Sequence, residues 1–334
     1  MSKRLLRGSL HALGWVLGSI GAVALLLTAL VATPLKSPPE LRSISQSRNT
    51  LDFPTLPAIE RFQARDGTML GFRHYPASGP ATERAAIVIH GSSGSGGTAI
   101  YALSGALAAR GVETWAIDIR GHGTSGTRGD IAYVGQLEDD LADFVAVVRK
   151  SVPTVPLTLI GHSAGGGFAL RVAGSPIQDL FARTVLLAPY LGYDAPTNRP
   201  DSGGWASADT PRVLGLIALR KIGIDCCEAL PTLAFAVPPN SEKTLVPAYS
   251  YRLMRNFATR GYRTDLAAAT KPLTIFSGAD DELMLADKYV EAVRGISPAV
   301  HVKLIDGVNH IGIVSAPAAV SAIADDVVNG GSGS

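Results

Sequence analysis

The sequence predicts an α/β fold, a mostly parallel sheet covered by helices on both faces, and three observations carry that expectation. Short apolar runs alternate with amphipathic helical stretches over most of the 334 residues, the pattern of a parallel sheet with crossover helices. A serine between two glycines, Gly161-His162-Ser163-Ala164-Gly165, joins one such run to a helix. Two later runs end directly in loops that hold Asp280-Asp281 and His310, and the carboxyl ends of strands are where an open α/β sheet collects functional residues.

At the N-terminus, Lys3, Arg4 and Arg7 precede a stretch without Asp, Glu, Lys or Arg up to Lys36. Gly8 to Leu35 supplies the ~20 apolar residues that a spanning helix needs. A cleaved signal peptide is the competing reading. The apolar run is long for one, and no clean A-x-A cleavage site precedes Pro34, so residues 1–35 are expected to be an uncleaved signal anchor. The basic end then stays cytoplasmic and the catalytic domain lies outside, in the periplasm of a bacterium, with secretion after cleavage as the alternative. Lys36, Arg42 and Arg48 on the far side oppose that orientation. Residues 36–58, with Pro38-Pro39 and Pro57, read as a linker. Removal of residues 1–48 is accordingly expected to leave a soluble, active enzyme.

The body opens with a hairpin, Phe62 to Ala64 and Met69 to Tyr75, around Asp66-Gly67. Ala85 to Ile89 is a strand followed by the glycine-rich loop His90 to Gly97, then a helix over Ile100 to Ala109 and a strand over Thr114 to Ile117. Gln136 to Lys150 is an amphipathic helix with Leu137, Leu141, Phe144, Val145 and Val148 on one face. Its acidic run Glu138-Asp139-Asp140 suits a solvated helix start rather than a metal site, because consecutive helical residues point apart. Pro156 to Ile160 is a buried strand, and Ala164 to Ala173 the helix after the serine. Thr184 to Leu187, Leu273 to Ser277 and Val300 to Ile305 are further strands, and Pro317 to Val328 is the last helix. From residue 190 to residue 270 the alternation stops, as expected of a cap inserted over a site. The core is thus residues 59–189 and 271–328, and residues 329–334 form a flexible tail. Cys226-Cys227 in the insertion are expected to be reduced and buried, a vicinal disulfide being strained.

A serine on a sharp strand-to-helix turn sits in a strained backbone conformation that lifts its hydroxyl clear of the sheet. The backbone N–H of Ala164 then faces a developing oxyanion. Such a serine needs a base and the base an orienting carboxylate. His310 is the base, and Asp280 and Asp281 are both candidates for the acid.

The order Ser, Asp, His, together with His90-Gly91, Asp118-Ile119-Arg120-Gly121-His122-Gly123-Thr124-Ser125, Gly161 to Gly165, Gly278-Ala279-Asp280-Asp281 and His310, resembles the α/β-hydrolase superfamily. The likeness is to its monoglyceride-lipase, lysophospholipase and serine-aminopeptidase-like branch and runs from about Phe62 to Val328. It implies an α/β-hydrolase fold with a cap, a Ser163-Asp281-His310 triad, Ser92 N–H as second oxyanion donor beside Ala164, and an ester substrate, lipid-like or other. Amide hydrolysis, thioester hydrolysis and acyl transfer are alternatives on the same fold. The chain lacks the HGGG run of related carboxylesterases and has Ala164 where many monoglyceride lipases carry methionine.

An alternative from another class is an NAD(P)-dependent oxidoreductase, since Gly94 to Ala99 fits a loose dinucleotide pattern with Asp118 at the next strand end. It leaves Ser163, Asp281 and His310 without a role. Gly97 replaces the lysine of a phosphate-binding loop. The remaining histidines show no metal-ligand spacing, so neither a metal nor a cofactor is expected. Residues 1–48 carry six basic side chains against Glu40, while the formal charge of the whole is +2. The body is therefore mildly acidic and offers no face for nucleic acid.

Overall fold

The structure, a computed structural model, describes residues 2–49, 55–78, 80, 83–238, 241, 245–296 and 300–330. In chain order the strands are β1 (Ile59–Gln63), β2 (Met69–Tyr75), β3 (Arg84–Ile89), β4 (Val112–Ile117), β5 (Leu157–His162), β6 (Arg183–Leu187), β7 (Ala206–Ala208), β8 (Pro231–Phe235), β9 (Ala248–Ser250), β10 (Leu273–Gly278) and β11 (Val300–Ile305). The helices are α1 (Ser2–Val31), α2 (Arg42–Asn49), α3 (Ile100–Ala109), α4 (Gln136–Ser151), α5 (Ala164–Ala173), α6 (Thr210–Lys221), α7 (Tyr251–Asn256), α8 (Tyr262–Ala268), α9 (Tyr289–Val293) and α10 (Pro317–Val328).

Eight strands form one sheet in the order β1-β2-β4-β3-β5-β6-β10-β11. β1 and β2 pair antiparallel, as do β2 and β4, and every other pairing is parallel. This is the α/β-hydrolase architecture with its mostly parallel sheet. The central strands β3, β5 and β6 are near-continuous Val, Ile, Leu and Ala and are buried along their length, which helices on both faces require. Packing Phe144 of α4 against Phe62 and Phe72, with ring centroids 4.9 and 5.0 Å apart, seals the hairpin edge.

Four expectations are corrected. The stretch read as a linker holds α2, and α2 is packed against the body with Ile44 and Ser45 buried. The acidic start of α4 is only partly solvated: Asp140 is buried and pairs bidentately with Arg120 at 2.7 Å, Glu138 pairs with Arg171, and Asp139 keeps a half-exposed pair with Arg65. Helical directions scatter the three acids, and each meets a different arginine from a distant element. Cys226 and Cys227 are both exposed and reduced, as their turn faces solvent, and the Cys227 thiol donates to Cys226 Sγ at 2.8 Å. The interruption from 190 to 270 has its own antiparallel sheet, β7-β8-β9, yet it rejoins the core early: α8 packs on α5 and buries Tyr262 and Leu266. The tail residues 331–334 and the side chain of His11 lie outside the described residues.

In α1, Leu13–Val31 is 19 residues long, apolar enough to cross a membrane and not buried. Its C-terminal end is tied to the inserted segment. Arg212 Nε of α6 donates to Val31 O at 2.9 Å, and Thr33 Oγ1 donates to Asp209 Oδ1 at 2.7 Å. Gly215 of α6 lets the helices close up, since a Cβ there would sit 3.0 Å from Leu30 and Val31.

Candidate active site

β5 enters the site and α5 leaves it, and Ser163 between them has φ 55° and ψ −119°. That is the strained elbow expected of the glycine-flanked serine. Both glycines are obligatory on packing grounds. A Cβ at Gly161 would run into the Gly165 carbonyl, and one at Gly165 into the His90 carbonyl. The strain is held by hydrogen bonds on both sides: Ser163 N–H donates to Leu187 O at 2.9 Å, and Tyr190 N–H to Ser163 O at 2.9 Å. Ala164 opens α5, so its N–H belongs to the free donors of a helix start.

The loops after β10 and β11 converge through their backbones. The strands pair in register from Leu273 with Val300 to Gly278 with Ile305. Beyond them Ala279 N–H donates to Ile305 O at 2.9 Å and Asp280 N–H to Val308 O at 3.0 Å. Gly278 permits this, because a Cβ would meet the Val308 carbonyl. The result places Asp281 Oδ2 2.8 Å from His310 Nδ1, with both side chains buried. Asp281 Oδ1 accepts the N–H groups of Leu283 and Met284, each at 2.8 Å. Asp280 points to solvent. Of the two carboxylates that the sequence leaves open, Asp281 is the one that reaches the histidine.

The electrostatics follow from this pairing. Burial pushes the Asp281 carboxyl up, but the His310 charge and hydrogen bond, with the two backbone N–H groups, outweigh it and leave Asp281 below the usual carboxylate range. Burial pulls His310 down, and the Asp281 charge and hydrogen bond overcome it, so His310 stands above the ordinary imidazole value. His162, buried beside it and repelled by it, is pulled down to about 3 and stays neutral. His162 Nε2 lies 3.0 Å from His310 O and donates to it, which fixes the loop.

On the opposite wall is the glycine-rich loop after β3. His90 is buried. Its Nε2 accepts the Ile119 N–H at 3.2 Å, which leaves Nδ1–H to donate to Gly91 O at 2.8 Å. Ser92 opens on the same cleft as Ser163 and His310. Asp118 is consumed in bracing this loop: it accepts Gly96 N–H at 2.7 Å and Thr124 N–H at 3.0 Å. The carboxylate that an NAD(P) reading assigns to a ribose is therefore occupied.

Several residues at the site are invisible to sequence reasoning. Trp205 Nε1 of the inserted segment donates to Ser92 Oγ at 2.8 Å. Tyr249 OH accepts the Ser93 N–H at 2.8 Å and lies 2.5 Å from His122 Nε2. Glu282 Oε2 accepts the His310 N–H at 2.9 Å. Ile44 and Arg48 of α2 line the cleft, and Asn309 Nδ2 donates to Ser47 Oγ at 2.9 Å. Only Glu282 carried a local signal, its adjacency to Asp281. The enclosed part of the cleft has a free volume of about 30 Å³, enough for a water or two. Between Ser163 Oγ and His310 Nε2 the described residues show no hydrogen bond, and such bonds are often long until substrate is in place.

Comparison with known proteins bears on this arrangement. The sequence profile of a hydrolase family described as serine aminopeptidase, S33, matches residues 80–313. The monoacylglycerol lipase of Mycolicibacterium smegmatis is 26% identical over 210 residues, which cover 60% of this chain and 72% of that protein. Among solved structures, a soluble variant of monoglyceride lipase from Saccharomyces cerevisiae, in complex with a substrate analog, superposes with a TM-score of 0.59. It is 16% identical, and the match covers 84% of this chain and 96% of that one. A membrane phospholipase A described as a bacterial virulence factor gives a TM-score of 0.55 at 17% identity and 98% coverage of both chains. At these identities the two structures establish the fold.

Proposed function

Since the chain belongs to the serine aminopeptidase (S33) family of α/β-hydrolases, in its monoglyceride-lipase-like branch, we propose that it cleaves carboxylic esters, lipid-like or other acyl esters, through a covalent acyl-enzyme on Ser163. The observation that carries this reading is the shared cleft. A strained, outward-facing Ser163 opens on the same space as a histidine held by a buried carboxylate.

His310 Nε2 takes the Ser163 proton as Oγ attacks the ester carbonyl, and Asp281 keeps the imidazole in the Nδ1–H tautomer. The N–H groups of Ala164 and Ser92 receive the tetrahedral oxyanion. As the intermediate collapses, His310 gives its proton to the leaving alcohol. Water then attacks the acyl-enzyme, His310 takes its proton, and the acid departs from Ser163 Oγ. Trp205 supports the step indirectly by holding Ser92.

The deciding experiment is a p-nitrophenyl ester chain-length series run beside aminoacyl-nitroanilides. Ester turnover that exceeds nitroanilide turnover is the expected result, and the reverse ranking would make the protein an aminopeptidase. Only neutral His310 can accept a proton, and Asp281 raises its pKa above 6.5. The expected pH profile of kcat/KM therefore falls on the acid side through a limb displaced above 6.5. A limb below 6.5 would mean that burial dominates the Asp281 charge.

For residues 1–35 we propose a retained membrane anchor. The support is that α1 ends in hydrogen bonds to Arg212 and Thr33 ends in one to Asp209, contacts with no purpose in a segment that is cut away. The inserted segment, with Trp205 and Tyr249 over the oxyanion loop, is proposed as the cap. Removing residues 1–36 is expected to give a protein that stays in solution without detergent and to leave the site intact. Removing residues 1–48 is now expected to lower the melting temperature and the activity, because α2 buries Ile44, a side chain worth ~1.5–3 kcal/mol, beside the cleft. Thermal melts and ester assays of the two truncations separate these outcomes. Equal stability and activity would return α2 to the status of linker.

A further inference from the structure

Arg48, on the last turn of α2, puts a guanidinium into the cleft that holds Ser163 and His310. Its Nη1 is buried and has no hydrogen-bond partner. It makes no ion pair among the described residues, whereas the buried Arg120 pairs with Asp140, Arg171 with Glu138 and Arg183 with Asp326. Around it the cleft is walled by Ile44, Ile100, Trp205, Leu283 and Ile311. Burial lowers the guanidinium pKa to about 10, which still leaves it charged at neutral pH. The charge is close enough to His90 and His162 to lower both imidazoles.

A guanidinium held partly away from water with no acid beside it among the described residues is costly. The fold does nothing to move it out, and α2 is fastened where it is. Ile44 and Ser45 are buried, and Ser47 takes a hydrogen bond from Asn309, the residue next to His310. A guanidinium presents paired N–H donors in a planar fork that fits a carboxylate or a phosphate. A neutral ester offers Nη1 an acceptor oxygen but no negative charge to balance the guanidinium.

We infer that Arg48 is the specificity-determining residue of this site and that the ester cleaved at Ser163 carries a phosphate or carboxylate near its scissile bond, which Arg48 receives. The inference rests on the ester-hydrolase reading and narrows it to anionic esters. It also gives α2 a task in the reaction. The helix that follows the N-terminal apolar segment carries the group that reads the substrate.

Two matched pairs test it on the full-length protein in non-ionic detergent. 1-Oleoyl-lysophosphatidic acid against 1-oleoylglycerol reads a phosphate on the alcohol side, and mono-p-nitrophenyl glutarate against p-nitrophenyl valerate reads a carboxylate on the acyl side. In at least one pair, wild-type kcat/KM should favour the anionic member, and Arg48→Ala should lower the anionic-to-neutral ratio at least tenfold. Arg48→Lys should restore part of that ratio, since a point charge replaces the fork. An unchanged ratio in both pairs overturns the inference. So does an equal loss on anionic and neutral members, which would assign Arg48 to the oxyanion or to packing. Should Arg48→Ala fail to fold, Arg48→Gln carries the same comparison. A wild-type preference for the neutral member of both pairs overturns the inference without any variant. Failure of the underlying reading looks different: wild type would then turn over no ester at all.

Discussion

Ser163→Ala is expected to lose fluorophosphonate labelling and to lower kcat for ester hydrolysis by at least ~10³-fold, with the melting temperature unchanged. The size of the effect comes from removing the atom that forms the acyl-enzyme. What remains is binding and oxyanion stabilisation, which act weakly without a nucleophile. The fold should tolerate the change because the strain at φ 55° belongs to the backbone. Serine and alanine bear a similar cost there, and the hydrogen bonds that hold the turn, to Leu187 O and from Tyr190 N–H, are main-chain bonds. Mass spectrometry of the labelled wild type should place the probe on Ser163. A probe on Ser92 or Ser93, or full labelling of the alanine variant, would remove Ser163 from its role.

The second large effect separates two adjacent carboxylates. Asp281→Asn should lower kcat on the order of 10⁴-fold, the loss known for the equivalent change in a serine protease. Asp281 is buried and uses both oxygens, Oδ1 for the Leu283 and Met284 N–H groups and Oδ2 for His310 Nδ1. An asparagine can keep its carbonyl toward the two N–H groups. Its amide then faces Nδ1 as a donor and forces the imidazole proton onto Nε2, where the base must be free. Asp280→Asn removes a charge from the solvent-facing neighbour and should cost less than about tenfold. Parallel kinetics of the two variants decide the matter, and the reverse ranking would transfer the acid's role to Asp280. The Asp281 variant should also lose the acid limb displaced above 6.5, because that displacement has the Asp281 charge as its main source.

Much of this molecule could be read from its residues because the signals are local. The elbow requires glycine two residues before and after Ser163, and those positions are in the sequence whatever surrounds them; the structure then shows carbonyls where each missing Cβ would be. β3, β5 and β6 declare themselves as short, mostly apolar runs, since a strand buried on both faces has no solvent-facing polar side. The order of Ser163, Asp281 and His310 followed from their places at strand ends. The choice between Asp280 and Asp281 did not follow from periodicity, because side chains of successive loop residues point apart in a way only the coordinates define.

What stayed hidden depends on contacts between residues far apart in the chain. Trp205 meets Ser92 across 113 residues and Asn309 meets Ser47 across 262. The acidic start of α4 reads as solvated in isolation, yet the arginines that pair with it come from three different stretches of chain. The stretch around Arg48, rich in proline, serine and arginine, reads as a linker because it contains few apolar residues. A single buried Ile44 and a hydrogen bond beside His310 place it in the cleft instead. The backbone rules of a turn or strand are written into a handful of neighbouring residues. The partner of a buried charge, or the lack of one, is decided by the whole fold.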